Sequence, residues 1–324
     1  MLKEKVLQIL ENMQGEAISG EEIAKELSVS RNSVWKSVNS LKRDGYKIIS
    51  QANRGYILSL ENEIFSANRI KQLCNFDINV IMLDDATSTN DVAKELAIQG
   101  ARESTVVIAK KQSNGRGRLG RSFISNEDNG LYMSIILRPQ VSVSQSIDIT
   151  LIGAVSALEA IESTSDRECS VKWVNDIYIK DKKVCGILTE ASMNFESGCL
   201  DYAIVGIGIN VIPPKNGFPE EISDIATSIY EKSAPKNYKS ILCAQIIDRF
   251  LTHYKKITER GYLELYRERS NIIGKEVNVY RGNDVISGTA IDIDDNANLV
   301  VKTSDGIVRF NSGEARVRKN ESKK

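Results

Sequence analysis

The sequence predicts a multi-domain α+β protein: an N-terminal winged helix-turn-helix, a central mixed α/β domain and a small C-terminal SH3-like β-barrel. Three observations predict it. Residues 1–60 hold three runs with apolar residues at helical spacing and then two short β-type runs. From residue 63 to about 270, strand-like and helix-like stretches alternate. From Ile272 the pattern changes to short β runs separated by turn residues, the spacing of a small antiparallel barrel. A chain of 324 residues accommodates two or three such domains, and 41% hydrophobic residues supply their cores. The expected domains are 1–62, 63–271 and 272–318, with 319–324 a charged, disordered tail.

In the head, Leu2, Val6, Ile9, Leu10 and Met13 share one helix face, which Gly15 ends. Ser19 caps a second helix with Glu22 as its capping-box partner, and Ile23, Ala24 and Leu27 face inward. After a turn at Ser28–Val29, Ser30 caps a third helix with Val34, Val38 and Leu41 on its core side. Tyr46–Ser50 and Gly55–Leu58 then make a hairpin around Gln51–Arg54. In the middle of the chain, strands are expected at Val80–Leu83, Val106–Ala109, Leu131–Leu137, Ile177–Ile179, Val184–Leu188 and Tyr202–Ile209. Helices are expected after Ser88, at Ile149–Ile161 and at Ser240–Ile257. The last β runs are Glu276–Tyr280, Ser287–Ile293, Leu299–Thr303 and Gly306–Phe310.

A formal net charge of zero predicts no partner, but it conceals a local patch. From Ser30 to Arg54 there are six Lys/Arg against one acid, Asp44, a net of +5. That is the electrostatic footprint of a nucleic-acid surface. The third helix presents Arg31, Asn32, Ser33, Lys36, Ser37 and Ser40 away from its core side. Arginine pairs with guanine, asparagine with adenine, and serine or lysine with phosphate. The DNA-contacting set is Ser30, Arg31, Asn32, Ser33, Lys36 and Arg54. Trp35 is expected to pack partly under the wing. Five scattered cysteines without a C-x-x-C pair predict reduced thiols in a cytoplasmic protein with no zinc site. No apolar run approaches the ~20 residues that cross a membrane, and the one histidine, His253, is remote from every motif.

Gly115-Arg116-Gly117-Arg118-Leu119-Gly120-Arg121 after Gln112 is the strongest local signal. Glycines let backbone N–H groups approach a ligand, and arginines hold carboxylate or phosphate. It is not a P-loop, because no G-K-[ST] follows at the required spacing. Lys172-Trp173-Val174-Asn175-Asp176, with Lys183 and Gly186 beyond it, sets polar residues among apolar strands. Asp176 is a candidate Mg²⁺ ligand; a structural Lys–Asp pair beside a buried tryptophan explains the segment equally well. Val205-Gly206-Ile207-Gly208-Ile209-Asn210 lacks the third glycine of a dinucleotide fingerprint, so its glycines are read as making room for a ligand or a neighbouring backbone.

Taken in order, Ser88-Thr89-Asn90, Gln112 with GRGRLGR, Gly130 to Ser134, KWVND, Lys183 to Glu190 and VGIGIN resemble the bifunctional biotin–protein ligases, or biotin operon repressors, over nearly the whole chain. Val174 and Phe123 depart from the usual proline and tryptophan. The resemblance implies that the central domain is a ligase. Biotin and ATP would give biotinyl-5′-AMP, from which biotin passes to a lysine of a biotin carboxyl carrier protein. It implies catalytic roles for Lys183, Arg118 and Asp176. The implied biotin site is Ser88, Thr89, Asn90, Gln112, Gly115, Arg116, Gly117, Arg118, Lys183 and Gly186. The implied ATP and adenylate site is Arg116, Arg118, Arg121, Lys172, Trp173, Asn175 and Asn210, with Mg²⁺ near Asp176. Asp176 is also a candidate to deprotonate the incoming lysine. The adenylate would be the corepressor, ordering the glycine–arginine loop and favouring a homodimer on double-stranded operator DNA. Ligation of lipoate or another acid is the nearest rival in chemistry, and a ligand-sensing transcription factor without catalysis the rival in class.

Overall fold

The computed structural model describes residues 2–51, 54–139, 141–142, 145–193, 198–282 and 284–317. The expected 319–324 tail and the tip of the hairpin at 52–53 lie outside them. The chain divides into two units, Met1–Leu73 with Pro235–Ser240, and Cys74–Ala234 with Ile241–Lys324.

The first unit is a winged helix-turn-helix. In α1 (Leu2–Asn12), Val6, Ile9 and Leu10 are buried, as their spacing requires. Before α2 (Gly20–Glu26), Ser19 Oγ accepts from Glu22 N at 3.1 Å while Ser19 N donates to the Glu22 carboxylate at 2.8 Å, closing the capping box. Ser30 caps α3 (Arg31–Arg43) by accepting from Ser33 N at 3.1 Å. Val34, Val38 and Leu41 are buried beneath that helix. A third strand, β1 (Ala17–Ile18), joins the hairpin of β2 (Ile48–Gln51) and β3 (Gly55–Leu58), pairing with β3 in the order β1-β3-β2. Two residues are too few to show a period in sequence. The helix α4 (Ala67–Leu73), also unexpected, groups with this unit. The buried Glu11 on α1 holds it by accepting from Ser66 Oγ and Asn68 Nδ2.

In the second unit, a seven-stranded sheet comprises β4 (Asn79–Ala86), β5 (Thr105–Gln112), β6 (Gly130–Leu137), β7 (Cys169–Lys172), β8 (Asp176–Ile179), β9 (Lys182–Met193) and β10 (Leu200–Asn210). Their order is β4-β5-β6-β10-β9-β8-β7, with β4 and β5 parallel and every other pair antiparallel. Alternation along β10 sorts the layers. Ile204 packs with Ala93 and Ala97 of α5 (Thr89–Ile98), whereas Val205 on the opposite face meets Gly153 of α6 (Ser146–Thr164). The helices α7 (Glu220–Ser223), α8 (Tyr238–Lys255, whose first three residues group with the first unit) and α9 (Tyr262–Glu268) follow.

The C-terminal strands β11 (Glu276–Arg281), β12 (Asp284–Ile293), β13 (Leu299–Thr303), β14 (Gly306–Phe310) and β15 (Glu314–Val317) form an antiparallel sheet in the order β14-β13-β12-β11-β15. It has one strand more than the four β runs expected, and Val277, Val279, Ala290, Leu299 and Phe310 form its core.

Candidate functional site

The site is built where α5 begins against the centre of the sheet. A cleft of about 470 Å³, open mouth included, is lined by Ser88, Thr89, Asn90, Gln112, Arg116, Gly117, Arg118, Phe123, Asn175, Lys183, Gly186 to Leu188 and Gly206 to Gly208. Four segments far apart in sequence therefore converge: the start of α5, the glycine–arginine loop, the β8–β9 hairpin and the middle of β10.

Buried neutral groups form one hydrogen-bonded chain. Gln112 Oε1 accepts from Thr89 N at 2.7 Å and Thr89 Oγ1 at 3.2 Å, and Gln112 Nε2 donates to Ser125 Oγ at 3.1 Å. Ser134 Oγ lies 2.8 Å from Thr89 Oγ1 and 2.7 Å from Asn90 Oδ1. Asn90 Nδ2 donates to the Glu190 carboxylate at 2.7 Å. Ser88, at the cap position of α5, is buried, yet its hydroxyl makes no bond to the helix. The chain thus fixes Thr89, Asn90 and Gln112 by mutual bonds, which presents neutral donors and acceptors suited to an uncharged polar ring.

Carboxylates pair two of the three charged groups, and an amide takes the third. Lys183 Nζ is 2.7 Å from Asp176 Oδ1 and lies over Gly186. Arg116 pairs with Asp91 and, at 3.4 Å, with Glu190. Arg118 Nη1 donates to Asn175 Oδ1 at 3.2 Å. Burial pulls the Arg118 guanidinium below its ordinary value, against the opposing pull of Asp176. A second opening of about 1160 Å³, open solvent included, lined by Arg116 to Gly120, Ser146, Thr150, Val174 and Ile187 to Ala191 among others, shares the loop with the first.

Several expected residues stand elsewhere. Trp173 is buried, its indole N–H donating to Ala297 O at 3.2 Å, and Asn210 Nδ2 donates to Thr227 O at 2.9 Å. Lys172 lies over the Tyr178 ring, 5.6 Å from its centroid, and burial lowers its pKa despite Asp176. Arg121 turns to Glu314 at 2.5 Å. None of these four lines either opening among the described residues. Gly115 also stays outside them: a Cβ there would meet Ser125 Oγ at 2.3 Å and Phe123 O at 2.4 Å, so its bareness serves the loop's own packing. Within VGIGIN it is side chains that use the room. A Cβ on Gly206 would fall 2.2 Å from Asn90 Oδ1, and one on Gly208 2.9 Å from the Phe123 ring.

Sequence reasoning gave no role to Ser134, Ser125, Asp91, Glu190 or Glu314. Ser134 had a signal, the one small hydroxyl residue inside the apolar run of β6. Glu190 closed the Lys183 to Glu190 motif without a role of its own, and Glu314 had no signal, since each acts on a partner brought by folding.

In the head, Ser30, Arg31, Asn32, Lys36 and Arg54 are exposed and Ser33 is half-buried. Ser30 and Ser33 hydrogen-bond one another at 2.8 Å. Two expectations change. Ser37 is buried, its hydroxyl donating to Ser33 O at 2.9 Å, because one turn after Ser33 it falls on the inner flank of α3. Trp35 is not packed under the wing but is 54% exposed.

A three-layer α/β unit with a neutral, hydrogen-bonded pocket beside an arginine loop, in a chain that also carries a winged helix-turn-helix, defines the class of a ligase with a DNA-binding head. Residues 83–210 match the model of the biotin/lipoate A/B protein ligase family, residues 3–57 an HTH domain and residues 272–318 the biotin protein ligase C-terminal domain. The chain belongs to the biotin/lipoate A/B protein ligase family, and within it groups with the bifunctional ligase/repressors. It is 33% identical over 319 residues to the bifunctional ligase/repressor BirA of Bacillus subtilis, covering 97% of this chain and 98% of that protein. To the protein of the same name from Escherichia coli it is 26% identical, covering 94% and 93%. The biotin protein ligase of Aquifex aeolicus in complex with biotin and ATP superposes with a TM-score of 0.62 at 31% identity, covering 74% of this chain and 99% of that one.

Proposed function

We propose that this protein is an ATP-dependent ligase that activates biotin to biotinyl-5′-AMP, transfers biotin to a lysine of a biotin carboxyl carrier protein, and represses transcription through its DNA-binding head. The convergence of a neutral, prebonded pocket and three cationic side chains in one cleft carries the reading. In the first step a biotin carboxylate oxygen attacks the α-phosphorus of ATP and pyrophosphate leaves. Two anions must be brought together, so positioning and charge neutralisation dominate. Lys183, Arg116 and Arg118 supply that charge, with Asn175 beside them. Ser88, Thr89, Asn90 and Gln112, with Gly117 and Gly186, receive the ureido ring and chain, while Gly115 lets the loop pack against Ser125 and Phe123 beside them. In the second step the acceptor amine attacks the anhydride carbonyl, AMP leaves and the amine loses a proton. Asp176 is the carboxylate for that proton once Lys183 has turned to the ligand.

The described residues hold no cluster of three carboxylate, histidine or cysteine side chains, so they do not fit a protein-caged Mg²⁺. We therefore treat the ion as part of the ATP substrate, with Asp176 facing its phosphates. Lys172, Trp173, Arg121 and Asn210 support the nucleotide side by holding the walls. The three segments 1–62, 63–271 and 272–318 divide the work into DNA binding, catalysis and support. The adenylate acts as corepressor by ordering the loop and favouring a homodimer on two-fold operator DNA. Five cysteines, none of them in a disulfide, support a cytoplasmic setting.

Mass spectrometry of the protein incubated with magnesium–ATP and biotin, lipoate or octanoate in turn tests the chemistry. Biotinyl-AMP and pyrophosphate are expected with biotin; lipoyl-AMP in their place, or no acyl-AMP with any acid, overturns the reading.

A further inference from the structure

The helix α3 carries one large residue that a polar DNA-facing surface does not call for. Trp35 is 54% exposed, whereas Val34, Val38 and Leu41 fill the core side of the same helix. At ~100° per residue, Arg31, Trp35 and Asn39 fall along one stripe, and Arg31 and Lys36 beside the indole are exposed too. The helix is fixed from both ends, by the Ser30 cap and by a 2.9 Å bond from Lys42 Nζ to Ser50 Oγ on β2. An indole kept in water on a rigid helix forfeits its large burial energy, so a partner with an apolar feature set among anions fits this surface. The major groove of DNA has that composition, with phosphates on both walls and the thymine C5-methyl as the apolar group on its floor. A second copy of the head would instead bring Arg31 and Lys36 against their own like charges.

We propose that Trp35 is a specificity-determining residue that packs its indole against thymine C5-methyl groups in the major groove of double-stranded DNA. The inference rests on the DNA-binding reading of the head and adds to it a side chain and the base feature that the side chain reads.

The test is selection of sites by the full-length protein, with biotin and magnesium–ATP, from a randomised duplex library. Each thymine of the selected site is then replaced singly by deoxyuridine, which removes only the methyl group. At one or two positions deoxyuridine should weaken the parent protein about fourfold, the worth of one buried methyl. The same replacement should leave Trp35→Ala unaffected. Because Trp35 is exposed, Trp35→Ala should keep full adenylation activity, which serves as the check on folding; Trp35→Phe should retain part of the thymine dependence. Deoxyuridine sensitivity that survives in Trp35→Ala overturns the proposal. Equal loss on both duplexes also overturns it, by putting the indole on the sugar–phosphate backbone. So does lost self-association in sedimentation with DNA affinity intact, which would mark a protein contact. If the parent enriches no site, the DNA-binding reading fails and takes this inference with it.

Discussion

Arg121 and Glu314 face each other as two parallel hydrogen bonds, 3.1 Å from Nη1 to Oε1 and 2.5 Å from Nη2 to Oε2, joining the glycine–arginine loop to the last strand of the C-terminal sheet. Burial alone would raise the Glu314 carboxyl. The hydrogen bonds and charges of Arg121 and Arg316 outweigh it and hold the group down to about 2. A depressed carboxylate stabilises the fold above its unfolded value of about 4.3, and that stabilisation is lost as pH falls toward the folded value. Arg121 is 57% exposed, so the contribution is about 1 kcal/mol or less. Thermal unfolding of Glu314→Gln should therefore lie a few degrees below the parent at pH 7, and the two curves should converge between pH 4 and pH 2. A gap independent of pH would remove Glu314 as its cause.

Lys183 trades partners in the proposed first step, leaving Asp176 for the biotin carboxylate. Lys183→Ala should slow adenylate formation about tenfold or more, which is about 1.4 kcal/mol on the barrier. Stopped-flow pyrophosphate release reads this directly, and an unchanged rate would dismiss Lys183 from the reaction.

Arg118 differs from Arg116 in its partner. Arg116 is held by two carboxylates, whereas Arg118 donates to neutral Asn175 and loses hydration to burial. A desolvated cation beside a neutral partner is suited to holding an anionic adenylate. Arg118→Ala should still form biotinyl-AMP but release it to solution. Retention in a desalting column equal to that of the parent would count against the assignment.

Gly206 leaves no room for a methyl group next to Asn90 Oδ1. Gly206→Ala should push Asn90 away from Ser134 and Glu190, costing about 1–3 kcal/mol of stability as overpacking does. It should also raise KM for biotin more than KM for ATP. Equal rises in both would place the Asn90 network outside the biotin pocket.

What could be read in the sequence was local. Ser19 with Glu22, and Ser30 ahead of Val34, Val38 and Leu41, are signals contained within one or two helical turns. The structure keeps both caps and that buried face. The glycine–arginine loop could be read because its residue types are rare together. The bonds that organise the cleft could not, since Ser134 reaches Thr89 across 45 residues and Glu190 reaches Asn90 across 100. Those partners are set by strand order, in which β10 lies between β6 and β9. The same limit hid Trp173, whose bond to Ala297 depends on where the C-terminal sheet comes to rest.

Arg31 and Lys36 separate base reading from phosphate binding in the head. Arg31 opens α3 and makes a long ion pair to Glu21 at 3.8 Å with both side chains largely exposed. That contact is weak enough to give way to a guanine. Lys36 lies five residues further along α3 and is exposed, a cation suited to a phosphate. Arg31→Ala should lose discrimination at one base position by about 1–3 kcal/mol while non-specific affinity falls little. Lys36→Ala should weaken all sequences alike and lower the salt slope of log K by about 0.9. Affinities measured by fluorescence anisotropy at several salt concentrations, on selected and scrambled duplexes, distinguish the two. An unchanged salt slope in Lys36→Ala would take Lys36 off the phosphates, and unchanged discrimination in Arg31→Ala would leave sequence reading to other residues of α3.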